Sequence, residues 1–114
     1  EEVIIQVQTQ NNKVWRLFIM DTEFRTKEQI KIRFNKLVGQ FENNSKYTPY
    51  KESQTIDENE DISYEISVNN KQYDAIFFSE TGGKVWFMIG TYEMNYFIAM
   101  FYESPKNEAD GSDL

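Results

Sequence analysis

The chain has 114 residues, a net charge of −7, and neither cysteine nor histidine, a size that builds one hydrophobic core without a second beside it. The absent side chains remove thiolate nucleophiles, Ser-His-Asp triads and zinc sites of ordinary composition, and the basic residues are too scattered to form the cationic stripe that phosphate backbones or anionic lipids require. Nucleic acid is therefore not expected as a partner, and the lack of cysteine leaves the redox compartment open.

In chain order, Glu1 stands where a Met would begin a new chain, and a cleaved export signal is one ordinary explanation. Two β-like runs follow, Val3–Gln10 and Lys13–Asp21, separated by "QNNK". Asparagine tolerates the positive φ of two-residue hairpin turns, so the pair reads as a hairpin. Thr26 with Gln29 three residues later fits a capping box, and Ile30, Phe34, Leu37, Val38 and Phe41 form one helical stripe ending near Asn43 and Asn44,. Ile32 points away from that stripe. Residues 45–61, polar, with Pro49 and an acidic end, read as a long, mobile and protease-sensitive surface connection,.

The second half repeats the hairpin grammar at "VNNK" and "TGGK", giving strands Ile62–Val68, Lys71–Ser79, Lys84–Thr91 and Asn95–Glu103. A two-residue turn at Asn69-Asn70 would pair Ile66 with Tyr73, Tyr64 with Ala75 and Ile62 with Phe77 on a core face, leaving Glu65 opposite Asp74 on the other. The apolar block Lys84–Glu103 is interrupted by Gly90, Thr91, Glu93 and Asn95. It fails as a membrane span, which needs about 20 consecutive apolar residues, and reads as a hairpin of two central strands.

A two-residue turn at Gly82-Gly83 sets Phe77 opposite Met88, with Trp86 beside them on the helix-covered face. Ile76, Phe78, Phe87 and Ile89 then occupy the other face, joined by Ile98 and Met100 if the last turn also has two residues. Leaving about five such side chains in water would forgo on the order of 10 kcal/mol, the whole stability of a domain this size. Either the N-terminal hairpin covers them or a partner or second copy does.

The expected fold is α+β: one domain over 1–114, with an amphipathic helix on a mainly antiparallel meander of about six strands in the order ββαββββ, cystatin-like or related. Residues 104–114 form an acidic tail.

Facing like charges destabilise a ladder, so Glu65 and Asp74 stand as a candidate cation site, against the ordinary reading of two solvated carboxylates. The acidic run Asp57–Asp61 lacks the glycine and the terminal acid of an EF-hand; "KNEADGSD" begins with Lys106 and has no room for a following helix,. Trp15, Trp86, Tyr92, Tyr96 and Tyr102 suggest a stacking platform, although strand aromatics are more often core. No phosphate loop, nucleophile elbow or metal-spaced cluster appears, so no catalytic residue, metal or cofactor is expected.

The stretches "EDISYEISVNNKQYDAIFF" and "MFYESPKNEADGSDL" resemble segments of small exported bacterial proteins of unknown function. The resemblance implies export and a natural C-terminus at Leu114, and supplies no activity or ligand. The expected function is a non-catalytic protein-interaction module of the cell envelope or secreted space, with Phe78, Phe87, Ile89, Trp15, Tyr92 and Tyr96 on its interaction face and a homodimer as one form. The alternative is a glycan- or lipid-binding domain with a pocket between helix and sheet, or an enzyme using carboxylates.

Overall fold

The computed structural model describes residues 3–10, 13–21 and 23–104, the first two stretches as backbone together with the exposure of Ile19. The chain is α+β, with one main helix on an antiparallel sheet. Strands β1 (Val3–Gln10) and β2 (Lys13–Asp21) precede helix α1 (Lys27–Glu42). They are followed by β3 (Tyr47–Pro49), a short helix α2 (Ile62–Ser67), and strands β4 (Asp74–Ser79), β5 (Lys84–Tyr92) and β6 (Asn95–Glu103). The sheet order is β1-β2-β6-β5-β4-β3.

Helix α1 starts where its sequence says it should. The Thr26 hydroxyl accepts from the Gln29 N–H at 3.2 Å, and the Gln29 side chain accepts from the Thr26 N–H at 3.1 Å, so two donors that a helix start leaves unpaired are satisfied reciprocally,. Ile30, Phe34, Leu37 and Val38 are buried, and Phe41 packs against the same core. Ile32 is 69% exposed on the opposite side. Asn43 caps the end, its N–H reaching the Gly39 carbonyl at 3.0 Å while the Asn44 N–H reaches that of Phe41 at 3.2 Å.

The expected order ββαββββ and the six-strand meander are corrected at three places. First, Ile62–Ser67 is helix α2. Ile62, Tyr64 and Ile66 alternate like a half-buried strand, but Ile62 and Ile66 are also one helical turn apart, and both join the core while Tyr64 faces outward,. Asp61 decides the matter as N-cap, accepting from the Tyr64 N–H at 3.3 Å and the Ser63 hydroxyl at 2.8 Å,. The positive φ of Asn70 ends this helix rather than turning a hairpin,.

Second, residues 45–61 are exposed for the most part but contain a short strand and two buried side chains that tie them to the core. Tyr47–Pro49 adds to the edge of β4, and Gln54 and Ile56 are buried. Two side-chain amides fix the path. Gln54 donates to the Ile76 carbonyl at 3.1 Å and accepts from the Ile76 N–H at 2.9 Å, standing in for a strand where β3 has ended. Asn35 of α1 grips the Ile56 backbone the same way, at 2.9 and 2.7 Å.

Third, the β4–β5 turn has three residues, Glu80 to Gly82, closed by the Ser79 N–H on the Gly83 carbonyl at 2.8 Å. Gly82 takes φ 100, a conformation that a residue with a Cβ rarely adopts,. Phe77 therefore pairs with Val85 and Ala75 with Phe87, instead of Phe77 with Met88. The offset is odd, so every side chain of β5 changes face. Val85, Phe87 and Ile89 point to the helix, where Phe87 meets Phe34, Phe41 and Phe77 at ring distances of 5.3, 5.9 and 6.1 Å. The next turn does have two residues, Glu93 and Met94, both at positive φ, which aligns Ile89 with Ile98 and Phe87 with Met100.

Candidate functional site

Both helices pack on one side of the sheet among the described residues, because the core they share includes Ile30, Ile62, Tyr73, Phe77, Phe87 and Ile98. The N-terminal hairpin does not fold back over the other side. It extends the sheet, with Phe18 paired to Phe101 and Met20 to Ala99. The helix-free face is thus built from the alternate positions of β4, β5 and β6: Ile76, Phe78, Trp86, Met88, Phe97 and Phe101. Phe78 is exposed and the other five are half-buried.

The centre of this face is a stacked pair, Trp86 on Phe101, with centroids 4.8 Å apart and planes 13° from parallel. The Lys84 ammonium lies 4.7 Å from the indole centroid and 3.5 Å from the Glu103 carboxylate, placing a cation–π contact and an ion pair at one margin,. At one end Phe24 stacks on Tyr92 at 5.7 Å and meets Phe97 edge-on at 5.8 Å. Phe97 lies against the backbone of Gly90, its cross-strand partner, where a Cβ would come within 2.3 Å of the ring. At the opposite end Tyr50 tilts over Phe78 at 6.2 Å.

The expected interaction residues divide accordingly. Phe78 and Tyr92 lie on the helix-free face and are exposed. Phe87, Ile89 and Tyr96 are buried in the helix-facing core, a correction that follows directly from the odd register offset. The backbone of Trp15 sits between Val14, paired with Thr9, and Arg16, paired with Gln8, at the irregularity of the first hairpin. Its side chain lies outside the described residues. Trp86 and Phe101, which centre the face, follow only once the turn length is known.

The expected Glu65–Asp74 pairing across a ladder does not form. Glu65 is on α2 and accepts from the Asn69 amide at 2.9 Å, while Asp74 pairs with Met88 in the sheet. Among the described residues no group of three or more acidic side chains is placed to hold a metal. The acidic run 57–61 encloses a cation of the protein's own. The Lys31 ammonium donates to the carbonyls of Asp57, Glu58 and Glu60, at 3.4 and 3.0 Å for the first two. Beside it the Glu60 carboxylate accepts from Lys71 at 2.6 Å and from the Tyr73 hydroxyl. Those two hydrogen bonds hold the Glu60 carboxyl below the usual carboxylate range, while burial and then the Glu60 contact push the Tyr73 hydroxyl up,. The "KNEADGSD" segment and the rest of the acidic tail beyond Ser104 lie outside the described residues.

A second concavity lies between the start of α1, helix α2 and the β5–β6 turn, a groove of about 670 Å3 whose lining includes Lys27, Ser63, Ile66, Thr91, Met94 and Tyr96. No described helix is long and apolar enough to cross a membrane. Comparison with family models, curated proteins and solved structures finds no match to this chain.

Proposed function

We propose that this chain is a non-catalytic protein-interaction module that docks a partner protein on the helix-free sheet face. The observation that carries the proposal is the contiguous set Ile76, Phe78, Trp86, Met88, Phe97 and Phe101, each exposed or half-buried, on the side opposite both helices. A large apolar patch rimmed by charge is what protein-binding surfaces look like, and aromatic residues dominate their energetic centres. Completing the burial of six such side chains is worth on the order of 5 kcal/mol before the costs of association. Lys84, Glu103 and Asp74 at the margins of the face supply the polar rim.

A photo-crosslinking residue placed at Phe78, with a control at exposed Tyr64 on α2, tests the proposal in extracts of the native cell. The expected result is a discrete adduct from position 78, absent from position 64 and lost when Trp86→Lys is added without loss of folding. Equal labelling from both positions would reject the face.

The groove favours a second reading, a small-ligand site for an amphiphile such as a lipid or glycan, since apolar Ile66, Met94 and Tyr96 line it beside polar groups,. Titrating a short-chain lipid while recording backbone amide shifts separates the two: movement at Ser63–Ser67 and Thr91–Tyr96 supports the groove, and movement confined to β4–β6 supports the sheet face. We further propose export to the envelope or secretion, resting on the resemblance of residues 60–78 and 100–114 to exported proteins; fractionation of cells expressing the full-length gene product tests it. The cystatin-like comparison is retained at the level of a helix lying across a sheet and contributes no binding residue.

A further inference from the structure

The two edges of the sheet are treated very differently. At one edge β3 is only three residues long, contains Pro49 and is flanked by Lys46 and Lys51. Where it stops, the Gln54 amide and the Tyr50 N–H occupy the Ile76 backbone. Shortness, proline, lysine and a covering side chain are the means by which natural sheets stop further strands from adding. The opposite edge, β1, has eight residues and pairs with β2 alone among the described residues. Its sequence VIIQVQTQ contains no charge, proline or glycine.

Elsewhere in this chain, strand segments equally free of charge are Val85–Tyr92 and Asn95–Tyr102, and each of those belongs to a strand paired on both sides. β1 has the composition of an interior strand at the position of an edge.

We infer that β1 pairs antiparallel with β1 of a second copy, about a two-fold axis at Ile5, so that the two sheets join into one. The occupant must be extended and must bring no charge into the ladder, since every side chain of β1 is uncharged. The chain's own β1 meets both conditions, and a two-fold contact uses the same surface on both partners,. Centring on Ile5 pairs Val3 with Val7 of the second copy and Ile5 with its own counterpart, and it keeps the ladder within Val3–Val7. The β1–β2 register is regular there and breaks only between Gln8 and Thr9. Centring on Gln6 would instead carry the pairing across that break, through Val3 opposite Thr9. No charged residue faces another in the chosen register. The dimer keeps both helix-free faces on one side of the joined sheet, so a partner with repeated epitopes meets two docking faces at once.

Because the chain has no cysteine, single substitutions Ile5→Cys, Gln6→Cys and Gln8→Cys each carry one spin label. Light scattering after gel filtration is expected to give the mass of a dimer. Label separations are expected to be shortest at position 5, where the paired backbones lie about 5 Å apart, and the offset along the strands grows by about 6.6 Å for each residue away, giving a backbone separation near 20 Å at position 8, since each strand rises roughly 3.3 Å per residue. Gln6→Lys, which sets an edge lysine into the ladder, is expected to raise the dimer dissociation constant at least tenfold with unchanged circular dichroism. A monomer at all concentrations overturns the inference, as does a dimer whose separations have no minimum near position 5. A monomer that still yields the Phe78 adduct overturns this inference alone and leaves the docking face standing.

Discussion

Gln54→Ala is the substitution that most directly tests how the chain between the helices is held. Gln54 is 6% exposed, and its amide makes two hydrogen bonds to Ile76. The Ile76 carbonyl keeps a second donor, the Tyr50 N–H at 2.9 Å, so the main loss falls on the Ile76 N–H. A donor stranded in this way costs about 1–3 kcal/mol, and the truncated side chain loses roughly another 0.8 kcal/mol of packing. With an unfolding entropy near 0.24 kcal/mol per degree for a chain this long, a total of about 2–4 kcal/mol lowers Tm by roughly 8–16 °C. Gln54→Glu keeps the shape but sets a carboxylate against the Ile76 carbonyl, which raises the folded-state pKa of the introduced acid. A raised carboxyl pKa gives stability that is present below the unfolded value and lost as pH rises through the folded one. This variant is therefore expected to match the wild type near pH 4 and fall below it at pH 7. Calorimetry at the two pH values, with limited proteolysis at neutral pH, reads both effects. A loss under about 1 kcal/mol for Gln54→Ala, with no new cleavage between residues 50 and 61, would refute the account of the amide as a substitute strand.

Phe87→Glu is expected to abolish folding, since Phe87 is fully buried and in ring contact with Phe34, Phe41 and Phe77, whereas Phe78→Glu is expected to stay folded with Tm changed by a few degrees at most; circular dichroism melts check both,. Lys31→Met leaves the carbonyls of Asp57, Glu58 and Glu60 without their ammonium, and faster amide hydrogen exchange is expected across Asn59–Ser63 with a stability loss of about 1–2 kcal/mol,. The lowered Glu60 carboxyl contributes stability that is present above about pH 4.3 and lost as pH falls through its folded value, so Glu60→Gln is expected to flatten the acid limb of the stability curve,. Because Lys71 and Glu60 are partly exposed, the difference amounts to roughly 0.2–1 kcal/mol, measurable by urea melts between pH 3 and 6,.

What the sequence made legible were features written in contiguous residues: the Thr26–Gln29 box, the stripe from Ile30 to Phe41, and the central hairpin of Lys84–Glu103. Local chemistry specifies these, and the structure reproduces them. Helix α2 was hidden because a segment of six residues fits both periods, and its N-cap Asp61 sits inside an acidic run that reads as solvated loop. The clamps from Gln54 and Asn35 join residues more than twenty positions apart through side-chain amides, and no periodicity marks such contacts.

The register of β5 was the costliest ambiguity, and the charges at the strand ends contain the information that resolves it. Lys84, Trp86 and Met88 share one face with Glu103 and Phe101 across the ladder. Val85, Phe87 and Ile89 share the other with Ile98 and Tyr96, where no charge occurs within the strands. The α1 stripe, rich in Phe, requires the uncharged set, because turning Lys84 and Glu103 toward it would bury an ion pair whose desolvation its own attraction scarcely offsets. A turn of odd length, here the three residues ending at Gly82, satisfies that requirement while keeping Phe77 on the helix side, and a two-residue turn does not,. The same choice puts Trp86 and Phe101 outside. The aromatic character of the helix-free face is thus bound to the packing of the core: a sequence that buries Phe87 under α1 must present Trp86 to whatever meets the other side.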